Sequence, residues 1–349
     1  MKSTKDFKIL RTKRQENYDI NEFNLIPFDF NGEKRNVYEN CNLSIFVDDY
    51  CNANCKFCVA QLRYENRSQA YQKKRIADDE FYYKRLEEVL TLLKPLNLSV
   101  SITGGEPTKC KRLVRILEII EKVGMRKRTI TTNGSGLYDV INGKTYLQHL
   151  IDNHFDHLNI SRAHYDENRN QKIMSYEKDY CSNEMIGKII KEALSNNLRP
   201  RLSCLLLKSG VNSIDEIVRY MSFYEQYGID NVIFRELMDY DQDKMINVEK
   251  KEYCKANKIK LNDVWECVDA DSRFETVLNI LGYYYYVEIY KYNNITMCSE
   301  SADITVLYKE KANHPNNVYE LVFHPNGNLC GSWVDNEDIL LKYESEEIK

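Results

Sequence analysis

No stretch of this 349-residue chain approaches the ~20 consecutive apolar residues of a membrane span. The first residues, Met1-Lys2-Ser3-Thr4-Lys5, are polar and lack the apolar core of a secretory signal. Nor is there an excess of basic charge. The 49 lysines and arginines are outnumbered by 53 acidic residues, for a net charge of −4, so no global electrostatic case for nucleic acid exists and only local basic patches remain. What the chain has in quantity is tyrosine, with 26, and cysteine, with 11. With no secretory signal, so many thiols argue for a reducing, cytoplasmic setting and for metal or redox use over a disulfide framework. The length suits one large α/β barrel or two domains.

Three of the cysteines are crowded. Cys51, Cys55 and Cys58 have three residues and then two between them. A closed structural zinc site takes four ligands, usually as two pairs, whereas three thiolates on a four-iron cluster leave one iron open to a small molecule. Two plainer readings stand beside this one: a zinc site, or three buried thiols sharing one helical face at i, i+4 and i+7. Asn52 and Asn54 weigh against the helix, because asparagine favours loops and caps.

The same residues carry a family resemblance. Cys51-x3-Cys55-x2-Cys58, with Phe57 just before the last cysteine, resembles the signature of the radical S-adenosylmethionine (AdoMet) superfamily, and Thr103-Gly104-Gly105-Glu106-Pro107 resembles its AdoMet-binding loop. The two motifs stand in the family's order, about fifty residues apart. The resemblance implies a 4Fe-4S cluster on the three cysteines and AdoMet at its open iron. Phe57 would flank the adenine, and Gly104, Gly105, Glu106 and Pro107 would hold the methionine end, with Glu106 as charged partner of the amino group. Thr132-Asn133-Gly134 also occurs in the molybdenum-cofactor cyclases and SPASM-type maturases that this region resembles, which adds Asn133 to the cofactor contacts, although Asn-Gly alone signals only a turn.

Relatives often place a serine at the end of the fourth strand, against the AdoMet ribose or carboxylate. Here that is Ser161, with Arg162 as a carboxylate partner. The chain departs from the family by continuing Arg162-Ala163-His164-Tyr165 where relatives continue Leu-Asp or Val-Asp. His164 and Tyr165 thereby become candidates to carry a proton. The family also implies an electron donor such as flavodoxin or ferredoxin.

Read in order, the chain alternates strand and helix. Strands are expected at Leu43–Asp48, Leu98–Ile102, Arg128–Gly134, Phe155–Ser161, Arg199–Leu207 and Asn231–Leu237. Helices are expected between them: one capped by Asp78 or Asp79, one closed by Gly124, one near Tyr146–His154, one at Asn183–Leu194, and one opened by the Ser213/Glu216 capping pattern. The fold class is therefore α/β, a partial (β/α)6 barrel over residues 41–238. A basic extension precedes it at 1–40, and a C-terminal α+β extension at 239–349 closes the open side.

Several features leave alternatives open. Lys2 to Arg14 form a basic arm or a solvated tail. Arg63, Arg67, Lys73, Lys74 and Arg75, interleaved with Tyr64 and Tyr71, form a substrate-facing segment or a solvated loop. Arg201 and Arg235 on barrel strands need an anion, either a structural carboxylate or a substrate group. Cys254, Cys267, Cys298 and Cys330 are too dispersed for a compact auxiliary cluster and read first as core residues, with Cys330 a candidate hydrogen donor to a product radical. The N-terminal segment is shorter than the peptide-recognition domain of many peptide-modifying relatives.

The expected activity is thus reductive cleavage of AdoMet and hydrogen abstraction from a small-metabolite or nucleotide-like substrate. Modification of a ribosomally made peptide is the alternative. A non-catalytic iron-sulfur or zinc-binding interaction protein is the alternative of another class.

Overall fold

A computed structural model describes residues 24–61, 69, 75–238, 245–282, 284–302 and 304–344. The described chain opens with an antiparallel hairpin, β1 (Leu25–Phe30) and β2 (Glu33–Tyr38). Six parallel strands follow, each ahead of one or more helices. They are β3 (Asn42–Phe46), β4 (Ser99–Thr103), β5 (Arg126–Thr132), then, beyond a ribbon of two-residue strands β6 (Val140–Ile141) and β7 (Lys144–Thr145), β8 (His157–Ser161), β9 (Arg199–Leu205) and β10 (Asn231–Arg235). All six expected strands are present, most of them ending a residue or two early.

The helices form because their apolar residues recur on one face and their ends are capped. In α1 (Asp79–Leu93) the Asp78 carboxylate accepts from the amides of Glu80 and Phe81, and Tyr82, Leu86, Val89, Leu90 and Leu93 are buried. At ~1.5–3 kcal/mol for each large apolar side chain, that face binds the helix to the sheet far more firmly than its cap does. Helix α2 (Leu113–Val123) ends at Gly124, whose φ of 74° is the left-handed geometry that glycine adopts without strain. Next come α3 (Tyr146–Asp152), α4 (Glu167–Met174), α5 (Asn183–Ser195) and α6 (Ile214–Glu225), which is opened by Ser213 accepting from the amide of Glu216. Helix α4 has no counterpart among the expected elements; Ile173 and Met174 are its only buried apolar residues.

The tail adds α7 (Val248–Asn257), α8 (Leu261–Ala270), the strands β11 (Glu275–Leu281), β12 (Tyr285–Tyr292) and β13 (Ile295–Ala302), and α9 (Ile304–Asn313). It ends with β14 (Asn317–Val318), β15 (Leu321–Phe323), β16 (Leu329–Cys330) and β17 (Ile339–Leu341). Two of its strands join the parallel array, one at each edge: β13 lies beside β10 and β15 beside β3. Both ends of the six-stranded sheet, which would otherwise expose unpaired backbone, are thereby covered. Tyr285 lies within electrostatic reach of Tyr38 and Cys41, and Tyr284 within that of Cys41 and Glu320. The hairpin of β1 and β2 pairs with β14 and occupies the later part of the segment read as a basic arm, whose lysines and arginines 2–14 lie outside the described residues.

Alternation along the strands separates two faces. Val100, Ile102, Ile130, Leu158, Ile160, Leu202 and Phe234 are fully buried beneath the helices in one apolar core. Their neighbours Ser101, Thr103, Thr131, Asn159, Arg201 and Ser203 point to the concave side. A closed (β/α)8 barrel fills its interior with branched apolar residues; a polar concave face marks a binding cleft instead. No described helix is long and apolar enough to cross a membrane.

Candidate cofactor site

The loop after β3 carries Cys51, Cys55 and Cys58, all three half-buried, at the end of the parallel strands where ligands gather. It is irregular and not a helix, so the three thiols are not a packed helical face. Asn52, almost fully buried, anchors it by donating to Ser135 Oγ at 3.0 Å and to the carbonyls of Lys178 and Asp179. The Asn54 amide donates to the Ser175 carbonyl, and Ala53 bridges to Tyr176. Beneath the loop Cys55 and Phe57 pack on a small separate core that includes Ala163, Ile173, Met174, Leu207 and Cys254. The Cys55 thiol also contacts the Met174 carbonyl at 3.2 Å and its sulfur at 3.8 Å.

Burial, and after it the neighbouring Cys58 and Cys51, push the Cys55 thiol well above its ordinary pKa. Thiols that hinder one another's ionisation in this way lose that penalty when a positive centre is bound among them, and such a donor set fits a metal cluster. Among the described residues no group of three or more His, Cys, Asp or Glu side chains stands close enough together to hold a metal ion without some rearrangement, the three loop cysteines included. Of the four tail cysteines read first as core residues, Cys254 on α7, Cys298 on β13 and Cys330 on β16 are buried, whereas Cys267 on α8 is exposed.

The Thr103–Pro107 loop is strapped directly to the cysteine loop. Gly105 donates its amide to the Asp48 carbonyl at 2.6 Å and Glu106 to that of Tyr50 at 2.7 Å. The contact needs glycine. A Cβ on Gly105 would lie 2.0 Å from the Tyr50 carbonyl oxygen, and one on Gly104, whose φ is 148°, would lie 2.7 Å from that of Asp48. Pro107 begins a short helical turn after the loop.

Glu106 does more inside the protein than the sequence suggests. Its carboxylate accepts from the Thr108 amide, the hydroxyls of Thr108 and Thr132, and the Asn133 amide. Desolvation raises its pKa in spite of these bonds. Oε1 takes three of the four donors; Oε2 takes one. Asn133 completes the junction, donating from Nδ2 to Asn52 Oδ1 at 2.9 Å and more distantly, at 3.9 Å, toward Cys51 Sγ. The three motifs, far apart in sequence, meet in one hydrogen-bonded knot.

Beyond β8 the expectations need correction. Ser161 lies at the strand end on the concave side, half-buried. Arg162 faces the other way and is fully buried. It donates to the Tyr224 hydroxyl, the Cys181 carbonyl, the Tyr180 hydroxyl and Asn183 Oδ1. Although burial works against the charge, these oxygens keep the guanidinium protonated. It holds α5 and α6 to the sheet and has no nitrogen left for an AdoMet carboxylate. His164 is also sealed from solvent. Its Nδ1 accepts from the Asp166 amide, Nε2 faces Glu216 of α6 at 3.4 Å, and burial lowers its pKa. Tyr165 stacks between His164 and Phe223 on the same outer side. Neither reaches the concave face, so neither can pass a proton to a molecule bound there. Cys330 pairs in register with Val322, itself in register with Ser44, which places it on the concave face, with its thiol pushed up to about 12 by burial and by nearby Asp335.

Of two neighbours that the tail brings to the cysteine loop, Lys250 had no sequence signal and Cys254 was read as a core residue. Lys250 of α7 is almost buried, and its Nζ donates to Asn54 Oδ1 at 3.1 Å and to the Cys55 carbonyl at 2.5 Å. On the same helix, the Cys254 thiol approaches the Lys56 carbonyl at 3.9 Å, and it is pushed up to about 11 by burial. Of the basic loop, Arg63, Tyr64, Arg67, Tyr71, Lys73 and Lys74 lie outside the described residues. Arg75 stands 3.6 Å from Asp48.

A parallel α/β partial barrel with three thiols on the first strand's loop, and a Gly-Gly-Glu-Pro turn strapped to them, defines a cofactor-binding barrel of the AdoMet-radical class. The chain belongs to the Radical SAM superfamily, whose family model matches residues 45–223, half of its length. Among curated proteins it is similar to a probable GTP 3′,8-cyclase of Sulfurisphaera tokodaii, 25% identical over 235 residues, covering 63% of this chain and 66% of that one. It is also similar to the GTP 3′,8-cyclase of Peptoclostridium acidaminophilum, 31% identical over 200 residues, covering 57% and 55%. The chain thus matches less than two thirds of either relative. Among solved structures, Streptococcus suis SuiB bound to S-adenosylmethionine shares the fold, with a TM-score of 0.56 at 17% identity over 87% of this chain and 63% of that one. SuiB bound to precursor peptide SuiA gives 0.54 at 19%, over 84% and 59%.

Proposed function

We propose that the chain carries a 4Fe-4S cluster on Cys51, Cys55 and Cys58, binds AdoMet at the iron left without a thiolate, and abstracts hydrogen from a small-metabolite or nucleotide-like substrate. The carrying observation is the pair of backbone hydrogen bonds from Gly105 and Glu106 to Asp48 and Tyr50. They fix the loop that would meet the methionine end against the loop that would hold the metal. When bound, the cluster would supply the electron for reductive cleavage of the AdoMet sulfonium. The protein's part is to aim and to exclude water. Gly104 and Gly105 leave room for close approach, Glu106 Oε2 and Asn133 line the junction, and Ser161 and the polar concave face receive the nucleoside and the substrate. The electron would come from a flavodoxin or ferredoxin.

The names of the curated relatives favour a nucleotide-like substrate. Modification of a ribosomal peptide is the second reading, favoured by the fold shared with SuiB, which was captured with its precursor peptide. The test is anaerobic reconstitution with iron and sulfide, followed by AdoMet and dithionite. About four irons per chain and formation of 5′-deoxyadenosine are expected. A colourless protein with one zinc, or a cluster that leaves AdoMet intact, would favour a binding protein instead. Deuterium passing into 5′-deoxyadenosine from a labelled peptide, and not from a labelled nucleotide, would favour the second reading.

A further inference from the structure

The concave face carries two guanidinium groups that are not equivalent. Arg235 donates from Nε to Ser203 Oγ at 3.1 Å and pairs through Nη1 with the carboxylate of Glu300 on β13. Arg201 donates only from Nε, to Asn159 Oδ1 at 2.9 Å, and among the described residues it pairs with no carboxylate. Burial first, and then the like charge of Arg235, lower its pKa, while Glu300 opposes them without pairing with it directly. A desolvated cation with no carboxylate paired to it directly is costly, and an anion brought to it recovers part of that cost. Its two terminal nitrogens remain as the prongs of a planar fork matched to a carboxylate or a phosphate.

Strand register says where the fork sits. Leu202 and Cys204 are buried under the helices, so Arg201 and Ser203 point to the concave side. Arg201 is in register with Asn159, and Asn159 with Thr131. One residue before, Ile130 is in register with Ile102, so Thr131 stands level with Thr103, the first residue of the glycine loop. Arg201 is thus three strands around the barrel from that loop and at its height, roughly 14 Å along the sheet at ~4.8 Å per strand. A molecule of nucleotide size spans that gap with its anionic end on Arg201 and a carbon near the cofactor.

We propose that Arg201 is a specificity-determining residue that clamps the anionic group, carboxylate or phosphate, of the substrate on the concave face, with Asn159 holding the fork in plane. The position of the reacting carbon rests on the cofactor reading above; the anion site itself does not. Glu300 occupies Arg235 and leaves Arg201 as the one to be filled.

Calorimetric titration of the reconstituted full chain, without reductant, with inorganic pyrophosphate and separately with succinate tests the clamp apart from AdoMet cleavage. Saturable binding of either anion by the wild type is expected, weakened at least tenfold by Arg201→Gln and retained in part by Arg201→Lys, with Glu300→Gln tightening it by freeing Arg235. Pyrophosphate alone would name a phosphate, succinate alone a carboxylate. Binding of neither anion, equal binding by Arg201→Gln, or an equal loss of AdoMet affinity in that variant would overturn the proposal. Formation of 5′-deoxyadenosine by the wild type, assayed separately, decides the cofactor reading whatever the anions do.

Discussion

Gly105 donates its amide hydrogen to the carbonyl oxygen of Asp48 at 2.6 Å, and its missing side chain is what permits the contact. Through it the glycine loop after β4 and the cysteine loop after β3 become one rigid piece. A site of this kind needs its supporting contacts fixed to a fraction of an ångström.

Gly105→Ala should therefore cost the strap. A methyl group 2.0 Å from the Tyr50 carbonyl oxygen forces the backbone apart, a strain of ~1–3 kcal/mol. Calorimetry should show AdoMet affinity falling at least tenfold while circular dichroism stays unchanged. Wild-type affinity would mean that the loops need not touch.

Alanine at Cys51, Cys55 or Cys58 should strip the protein of most of its iron, whereas Cys267→Ala, on the exposed face of α8, should leave about four irons per chain. Iron and sulfide analysis after anaerobic reconstitution decides this. Iron lost on changing Cys267 would require a second cluster.

Lys250 places a buried ammonium against the backbone of Cys55. A positive charge there favours the reduced, more negative state of a cluster, so Lys250→Met should move the midpoint potential downward by on the order of tens of millivolts. Redox titration followed by electron paramagnetic resonance reads the shift. An unchanged potential with a lowered unfolding midpoint would leave Lys250 a purely structural role.

Arg162→Met leaves the Cys181 carbonyl, Asn183 Oδ1 and the hydroxyls of Tyr180 and Tyr224 without their donor. Urea unfolding should show a loss of ~3–5 kcal/mol, with AdoMet affinity little changed in the folded fraction. The reverse pattern, intact stability and lost affinity, would restore Arg162 to the cofactor.

Two buried groups give opposite pH slopes. Glu106, raised by burial from 4.5, binds its proton more tightly folded than unfolded. Its contribution to stability is full below about 4.5 and is lost as pH climbs through the folded value. His164, lowered by burial from 6.5, contributes fully above about 6.5 and loses that contribution as pH falls through its folded value. Urea midpoints measured from pH 7.5 down to pH 4.5 should show Glu106→Gln losing the wild type's gain on acidification and His164→Asn losing its penalty. Parallel curves for all three proteins would refute both assignments.

What could be read in advance follows from the range of each interaction. The cap at Asp78, the five buried residues of α1 and the left-handed close of α2 at Gly124 are set by neighbours a few residues away, and the spacing of apolar residues shows them. Helix α4 gave too little of that signal, since only Ile173 and Met174 of its eight residues are buried apolar ones. Arg162 and His164 were misread because sequence places a residue on a strand end without saying which side of the sheet it faces once the strand has ended.

The sequence by itself determined the chemistry on offer: three closely spaced thiols, a turn that only glycine can make, and a strand-helix alternation that builds a parallel sheet. Local sterics and periodicity suffice for those. Tertiary structure alone decided which groups meet, setting Asn133 between Asn52 and Glu106, Lys250 under Cys55, β13 and β15 at the two sheet edges, and Arg201 without the carboxylate that Arg235 has. Such pairings depend on contacts between residues tens to hundreds of positions apart, and no local pattern in the chain records them.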